Sequence, residues 1–156
     1  MKPIHVKRGG YDSQMSNAKA ACRWMINHKD QYDRFILMRF DYKYRLRITS
    51  WPKWDLSGIF LVNKDSHKWE TERFYADMLF IVDKDWVDVF ADALTNPKFR
   101  GGMCLHHCGR ELECRGVDFH LMYEGFYRGI KNPFYTCQCF ESEEPNIDVY
   151  YEGEQA

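Results

Sequence analysis

Apolar residues follow two rhythms along this chain. Between residues 13 and 29, Ala18, Ala21, Cys22, Met25 and Ile26 recur at helical spacing. They predict a helix opening at Ser13 or Ser16 and ending near Lys29. Phe35 to Met38 then form an unbroken apolar run, the mark of a buried strand. From Tyr42 the rhythm becomes strict alternation. Tyr42, Tyr44, Leu46 and Ile48 share one side, and Lys43, Arg45, Arg47 and Thr49 share the other.

Further on, GIFLVN at 58–63 and ADMLFIV at 76–82 predict two more hydrophobic strands. Asp85 is expected to open a helix with Asp88 in the capping-box position. Trp86, Val89, Phe90, Ala93 and Leu94 form its apolar face, and Asn96-Pro97 stops it. A third helix is expected over Met103 to Arg115. There Leu105, Cys108 and Leu112 share a face and Gly116 follows as the C′ residue. Val117, Phe119, Leu121 and Tyr123 alternate with Asp118, His120 and Met122 as a half-buried strand.

Helices and strands therefore interleave, which predicts an α/β fold. The expected architecture is a single domain over residues 1–140, with a mixed central sheet flanked by at least three helices. Residues 141–156, rich in Glu and Asp, read as an acidic tail.

Composition narrows the class. The chain has 156 residues, 45% of them apolar and 29% charged, as expected of a globular domain with a real core. A formal net charge of -1 gives no general attraction to nucleic acid or to an anionic membrane. No run of eighteen apolar residues predicts a transmembrane segment, and MKPIHVKRGG is not a secretory signal. The expected location is cytoplasmic, with the six cysteines as free thiols. Aromatic residues make up 17% of the chain, more than one small core needs, so some rings are expected at a groove or partner surface.

The strongest candidate chemistry lies in Arg39-Phe-Asp41. Side chains two apart on a strand share a face, so the guanidinium and carboxylate leave the strand end together. One reading is an ion pair that caps the strand. The other gives Asp41 a Mg²⁺ or Mn²⁺ ion that neutralises a diphosphate, beside Arg39. Lys43, Arg45 and Arg47 read either as a solvated charged face or as a collar for an anionic donor or acceptor. In SWPKWDLSG, Trp51 and Trp54 read either as a lid on the core or as a stacking surface for a sugar or base. The chain carries no G-x-S-x-G elbow, Walker A string, H-E-x-x-H or Rossmann glycine fingerprint.

The stretch SQMSNAKAACRWMINHKDQYDRFILMRFDYKYRLRI resembles the central part of GT-A-type sugar-nucleotide glycosyltransferases. More narrowly, it is similar to a diffuse group that builds polysaccharides in bacteria and large DNA viruses. YADMLFIVDKDWVDVFADAL resembles their later strand and helix, and RELECRGVDFHLMY their late helix–strand segment. The resemblance covers about residues 13–125, with Arg39 where a full DxD motif has its first acid. It implies a metal-assisted transfer of sugar from a nucleoside-diphosphate donor to the hydroxyl of a glycan acceptor. It also implies that Asp41 holds the metal against the donor diphosphate with Arg39 in support; Lys43, Arg45, Trp51 and Trp54 are the further candidates for donor contact. Asp77, Asp118 and His120 become the candidate acid–base residues. Few residues precede the first helix, so the resemblance implies either a truncated or minimal transferase or one whose nucleotide-binding half comes from a partner chain or another domain.

The rival reading is a non-catalytic interaction module with a structural zinc. Cys104 and Cys108 lie one helical turn apart, and Cys137 and Cys139 would complete the tetrahedron, with His107 as a further ligand.

Overall fold

The computed structural model describes residues 11–39, 42–44, 47–65, 73–77, 79–98, 104–123, 126–127 and 135–137. Asp41, Arg45, Cys139 and the segment 141–156 lie outside the described residues, and Lys43 and Cys137 are described in backbone only.

Helix α1 spans Tyr11–His28. It begins ahead of both Ser13 and Ser16, so neither serine opens it. Strand β1 spans Arg34–Met38, as the apolar run predicts, and β2 covers Tyr42–Tyr44. The expected continuation of β2 to Thr49 gives way to a 3-10 turn at Ile48–Ser50. Strands β3 (Ile59–Leu61), β4 (Lys64–Asp65) and β5 (Leu79–Asp83) follow. After β5 a 3-10 turn, Lys84–Trp86, leads into helix α2, Val87–Thr95. That turn displaces the expected helix start, and neither Asp83 nor Trp86 makes a side-chain cap bond. Asp88 does not serve a capping box; its carboxylate pairs with Lys29 Nζ at 2.5 Å.

A 3-10 turn at Leu105–His107 leads into helix α3, Cys108–Cys114. Gly116 takes φ +66°, the left-handed geometry of a helix C′ residue. Strand β6 is only His120–Leu121, with β7 at Phe126–Tyr127 and β8 at Tyr135–Cys137.

Among the described residues the main sheet has the order β1-β5-β3-β6. β5 runs antiparallel to both β1 and β3, while β6 runs parallel to β3. The sheet is therefore mixed, within a small α/β fold. β2–β8 and β4–β7 form separate two-stranded ladders.

The two sheet faces have different covers. Phe35, Ile59, Leu61, Phe80 and Val82 face the three helices. They pack with Ala18, Cys22 and Met25 of α1, Phe90 and Leu94 of α2, and Cys108 and Leu112 of α3. Phe60, Val62, Leu79 and Ile81 face the other way and pack under Trp51, Ala76 and Met122. Period-two alternation thus builds both cores from the same three strands. The sheet is flanked by helices, as expected; those described stack on one face, and the Trp51 loop closes the other.

Candidate functional site

Two Arg–Asp pairs bracket the β1–β5 ladder. Arg34 lies opposite Asp83 at one end, and Met38 lies opposite Leu79 at the other. Just beyond Met38, Arg39 Nη1 donates to Asp77 Oδ2 at 2.9 Å. The pairs share a chemistry but differ in their surroundings.

At the Arg34 end the donors are used up in holding the chain. Nε donates to Asp83 Oδ1 at 2.5 Å and Nη2 to Oδ2 at 3.1 Å. Nη1 and Nη2 also donate to the carbonyls of Trp54 and Leu56, at 2.5 and 2.6 Å. The guanidinium carbon sits 4.7 Å above the Trp54 ring. Asp83 Oδ2 in turn accepts from the Gly58 amide at 3.0 Å. Burial pushes the Asp83 carboxyl upward. The bonds from Arg34, Gly58 and Ser57, with the guanidinium charge, outweigh it and leave the group below the ordinary carboxylate range. Gly58 itself has φ +139°, a conformation that side chains avoid. This end is a structural clamp on the 51–58 loop.

At the Arg39 end, segments distant in sequence converge on one buried carboxylate. The Asp77 side chain is 2% exposed. Its Oδ1 lies 3.5 Å from His106 Nε2, whose side chain keeps 28% of its exposure. Phe74 stacks on the His106 ring, centroids 5.1 Å apart, and presents its ring edge-on to His107 at 4.7 Å. The Tyr75 amide donates to the His106 carbonyl at 2.8 Å, and the Ala76 amide to the Asn63 carbonyl at 3.0 Å. These backbone bonds draw the 74–77 segment out of the β5 ladder, where the sequence pattern had placed its second half. Parallel strands β1, β3 and β6 all end on this side, the position where open α/β sheets receive ligands.

Beside this cluster, Cys104 Sγ lies 3.3 Å from His107 Nδ1, and both residues are buried. Cys108 turns instead into the helix-side core. Burial, with Cys22 and Glu111 nearby, pushes its thiol upward. Burial likewise raises Cys22 to about 12. Such thiols pack as small hydrophobes. Cys22, Cys104, Cys108 and Cys114 are free thiols.

The sequence candidates thus separate. Arg39 and Asp77 come together. Trp51 is 2% exposed under the second sheet face. Trp54 stands with Arg34 at the far end of β1. His120 is at that same end: it pairs with Phe60 at the start of β6, and its Nε2 lies 3.1 Å from the Ser57 carbonyl. Asp118 precedes it, exposed. The Lys43 backbone pairs with Thr136 in the β2–β8 ladder. His106 was missed because its partnership with Asp77 is non-local. Of the neighbouring His106 and His107, the sequence reading names only His107, as a further zinc ligand.

Among the described residues, no group of three or more His, Cys, Asp or Glu side chains is placed to hold a metal ion. No helix among the described residues is long and apolar enough to cross a membrane. No family model matches the chain, and neither does any curated protein or solved structure.

Proposed function

We propose that the chain is a glycosyltransferase of GT-A kind, moving a sugar from a nucleoside-diphosphate donor to a hydroxyl at the Arg39–Asp77 edge. The observation that carries the reading is the Arg39–Asp77 pair itself, 2.9 Å long, just past the carboxyl end of β1. There a guanidinium and a buried carboxylate adjoin an imidazole, a set suited to an anionic donor and a hydroxyl acceptor. The order of segments resembling sugar-nucleotide transferases adds to it, since Asp41 follows two residues after Arg39.

In this reading Arg39 meets the negative charge of the donor and Asp77 organises the acceptor side. A Mg²⁺ or Mn²⁺ ion at Asp41 would supply further charge for the departing diphosphate. Asp41 lies outside the described residues.

Calorimetry with UDP, GDP and dTDP, each with and without Mn²⁺, tests the reading. The expected result is binding of one of them, weakened at least about tenfold in Arg39→Ala, as loss of a charge-assisted contact implies. Failure of all three to bind the wild-type chain would overturn it.

A further inference from the structure

We propose that the chain forms a homodimer through the outer edge of β1, which pairs antiparallel with β1 of a second copy. This is independent of the transferase reading and neither supports nor needs it.

The alternation of ladder bonds identifies the open edge. The Lys84 amide donates to the Asp33 carbonyl and the Asp83 amide to the Gly58 carbonyl, both at 3.0 Å. Hydrogen-bonded pairs alternate along an antiparallel ladder. Phe35 and Leu37 are therefore in step with Asp33 and bond to Val82 and Phe80 of β5, while Ile81 and Asp83 bond to the β3 side. The amides and carbonyls of Arg34, Ile36 and Met38 point away from β5. β1 is the terminal strand of the sheet, and among the described residues no strand pairs with that side.

Its side chains are those of an interior strand. Residues 35–38 are apolar on both faces, the pattern of a strand with a neighbour on each side. Yet Ile36, Leu37 and Met38 are only half-buried, whereas β3 and β5 are buried throughout. Of the three large apolar residues exposed among those described, two adjoin β1. The Tyr32 ring, 39% exposed, packs edge-on against Phe35, and the Leu56 carbonyl accepts from Arg34 Nη2. Strands that end a sheet usually carry a lysine, a proline or a bulge that deters pairing. β1 has none of these. Its register against β5 is unbroken, and its one charge, Arg34, is neutralised by Asp83.

Charge complementarity selects a second copy as the occupant. With Ile36 opposite Ile36 of the second copy, the outward groups of both strands meet about a two-fold axis. Phe35 then faces Leu37 and Arg34 faces Met38, so apolar groups meet on both faces and no like charges are opposed. One residue beyond each end of the pairing, Asp33 comes opposite Arg39 of the other copy. The Asp33 side chain, 94% exposed, thus brings a carboxylate to a guanidinium at both ends. The two sheets join into one, by strand addition.

Sedimentation of the full chain from about 1 to 500 µM tests the proposal. The expected result is a reversible rise from the 18.8 kDa of one chain toward twice that mass. Asp33→Lys opposes like charges at both ends from an exposed position, and is expected to weaken the dimer at least about tenfold. Ile36→Lys sets lysine against lysine on the axis and is expected to abolish it. Amide exchange reads the edge itself. Ile36 is expected to slow at least about tenfold between dilute and concentrated chain, while Phe35, bonded to β5, stays within about twofold. A wild-type chain that remains monomeric over the whole range overturns the proposal. So does a dimer whose affinity Asp33→Lys leaves within about twofold of wild type. Slow exchange of Ile36 in the dilute monomer also overturns it, because the edge would then be covered by another segment of the same chain.

Discussion

Arg34 and Asp83 face each other across the first pair of the β1–β5 ladder, and their side chains lock that pairing through two hydrogen bonds of 2.5 and 3.1 Å. The same guanidinium ties down the carbonyls of Trp54 and Leu56. One ion pair therefore sets a strand register and anchors the loop that covers the second sheet face. The Arg39–Asp77 pair lies just past the other end of β1, and its carboxylate adjoins the His106 imidazole.

Arg34→Ala leaves the Asp83 carboxylate, 12% exposed, without its main partner. The expected cost is about 2–3 kcal/mol, below the range for a fully buried pair because some solvent reaches both groups. Urea denaturation checks it through a lowered midpoint. A shift worth less than about 0.5 kcal/mol would mean that the clamp is not a stabilising element.

Stability should also depend on pH through Asp83. Its folded carboxyl lies below the ordinary range, so the unfolded chain binds the proton more readily. The contribution is then complete above the unfolded value of about 4, and is lost as pH falls through the lower folded value. Asp83→Asn should be less stable than wild type at neutral pH, with the gap closing as the solution is acidified. Melting curves across the acid range measure this. A gap that stays constant with pH would contradict it.

Gly109 is needed for space rather than for backbone freedom. A Cβ there would lie 2.4 Å from the Tyr75 ring. Tyr75 is held in turn by its hydroxyl, which donates to Glu113 Oε1 at 2.5 Å. On an exposed helix face, Gly→Ala gains about 0.5–1 kcal/mol. At Gly109 overpacking should reverse the sign, giving a loss of about 1–3 kcal/mol. Thermal unfolding of Gly109→Ala decides between the two signs.

Much of the fold could be read from periodicity because its main elements are amphipathic. Cys22 and Met25 of α1, the Phe35 strand, and Phe90 and Leu94 of α2 all lie in the core their spacing predicts. The misreadings occur where backbone bonds leave the regular pattern. The strand expected from Val117 begins only at His120, because the Val117 amide is spent on the Leu112 carbonyl in closing α3. The site was half legible: Arg39 stood out at a strand end and Asp77 at a strand start. Nothing local, however, links Asp77 to His106, 29 positions later, or marks Trp54 and His120 as belonging to the opposite end.

Glu111 is a second case of hidden order, since charge in a short helix usually reads as solvent-facing. It is fully buried, accepting from the Lys98 amide at 2.7 Å and from Arg115 Nε at 3.0 Å. Arg115 also pairs with Asp92 and donates to the Asn96 carbonyl at 2.5 Å, joining α3 to the end of α2. Arg115→Ala strips a buried carboxylate of its countercharge and should cost about 3–5 kcal/mol. The denaturant midpoint again reports it, and Asp88→Asn at the exposed Lys29 pair should leave that midpoint nearly unchanged as the control.

The account depends most on the Arg39–Asp77–His106 edge being where ligand arrives. Titrating UDP, GDP and dTDP with Mg²⁺ into ¹⁵N-labelled chain, and following the backbone amides, tests this directly. The predicted result is a saturable shift of the amides of Arg39, Asp77 and His106 with one of the nucleotides, while those of Arg34, Gly58 and Asp83 stay in place. Movement confined to the Arg34–Asp83 end, or no movement with any of the three, would contradict it.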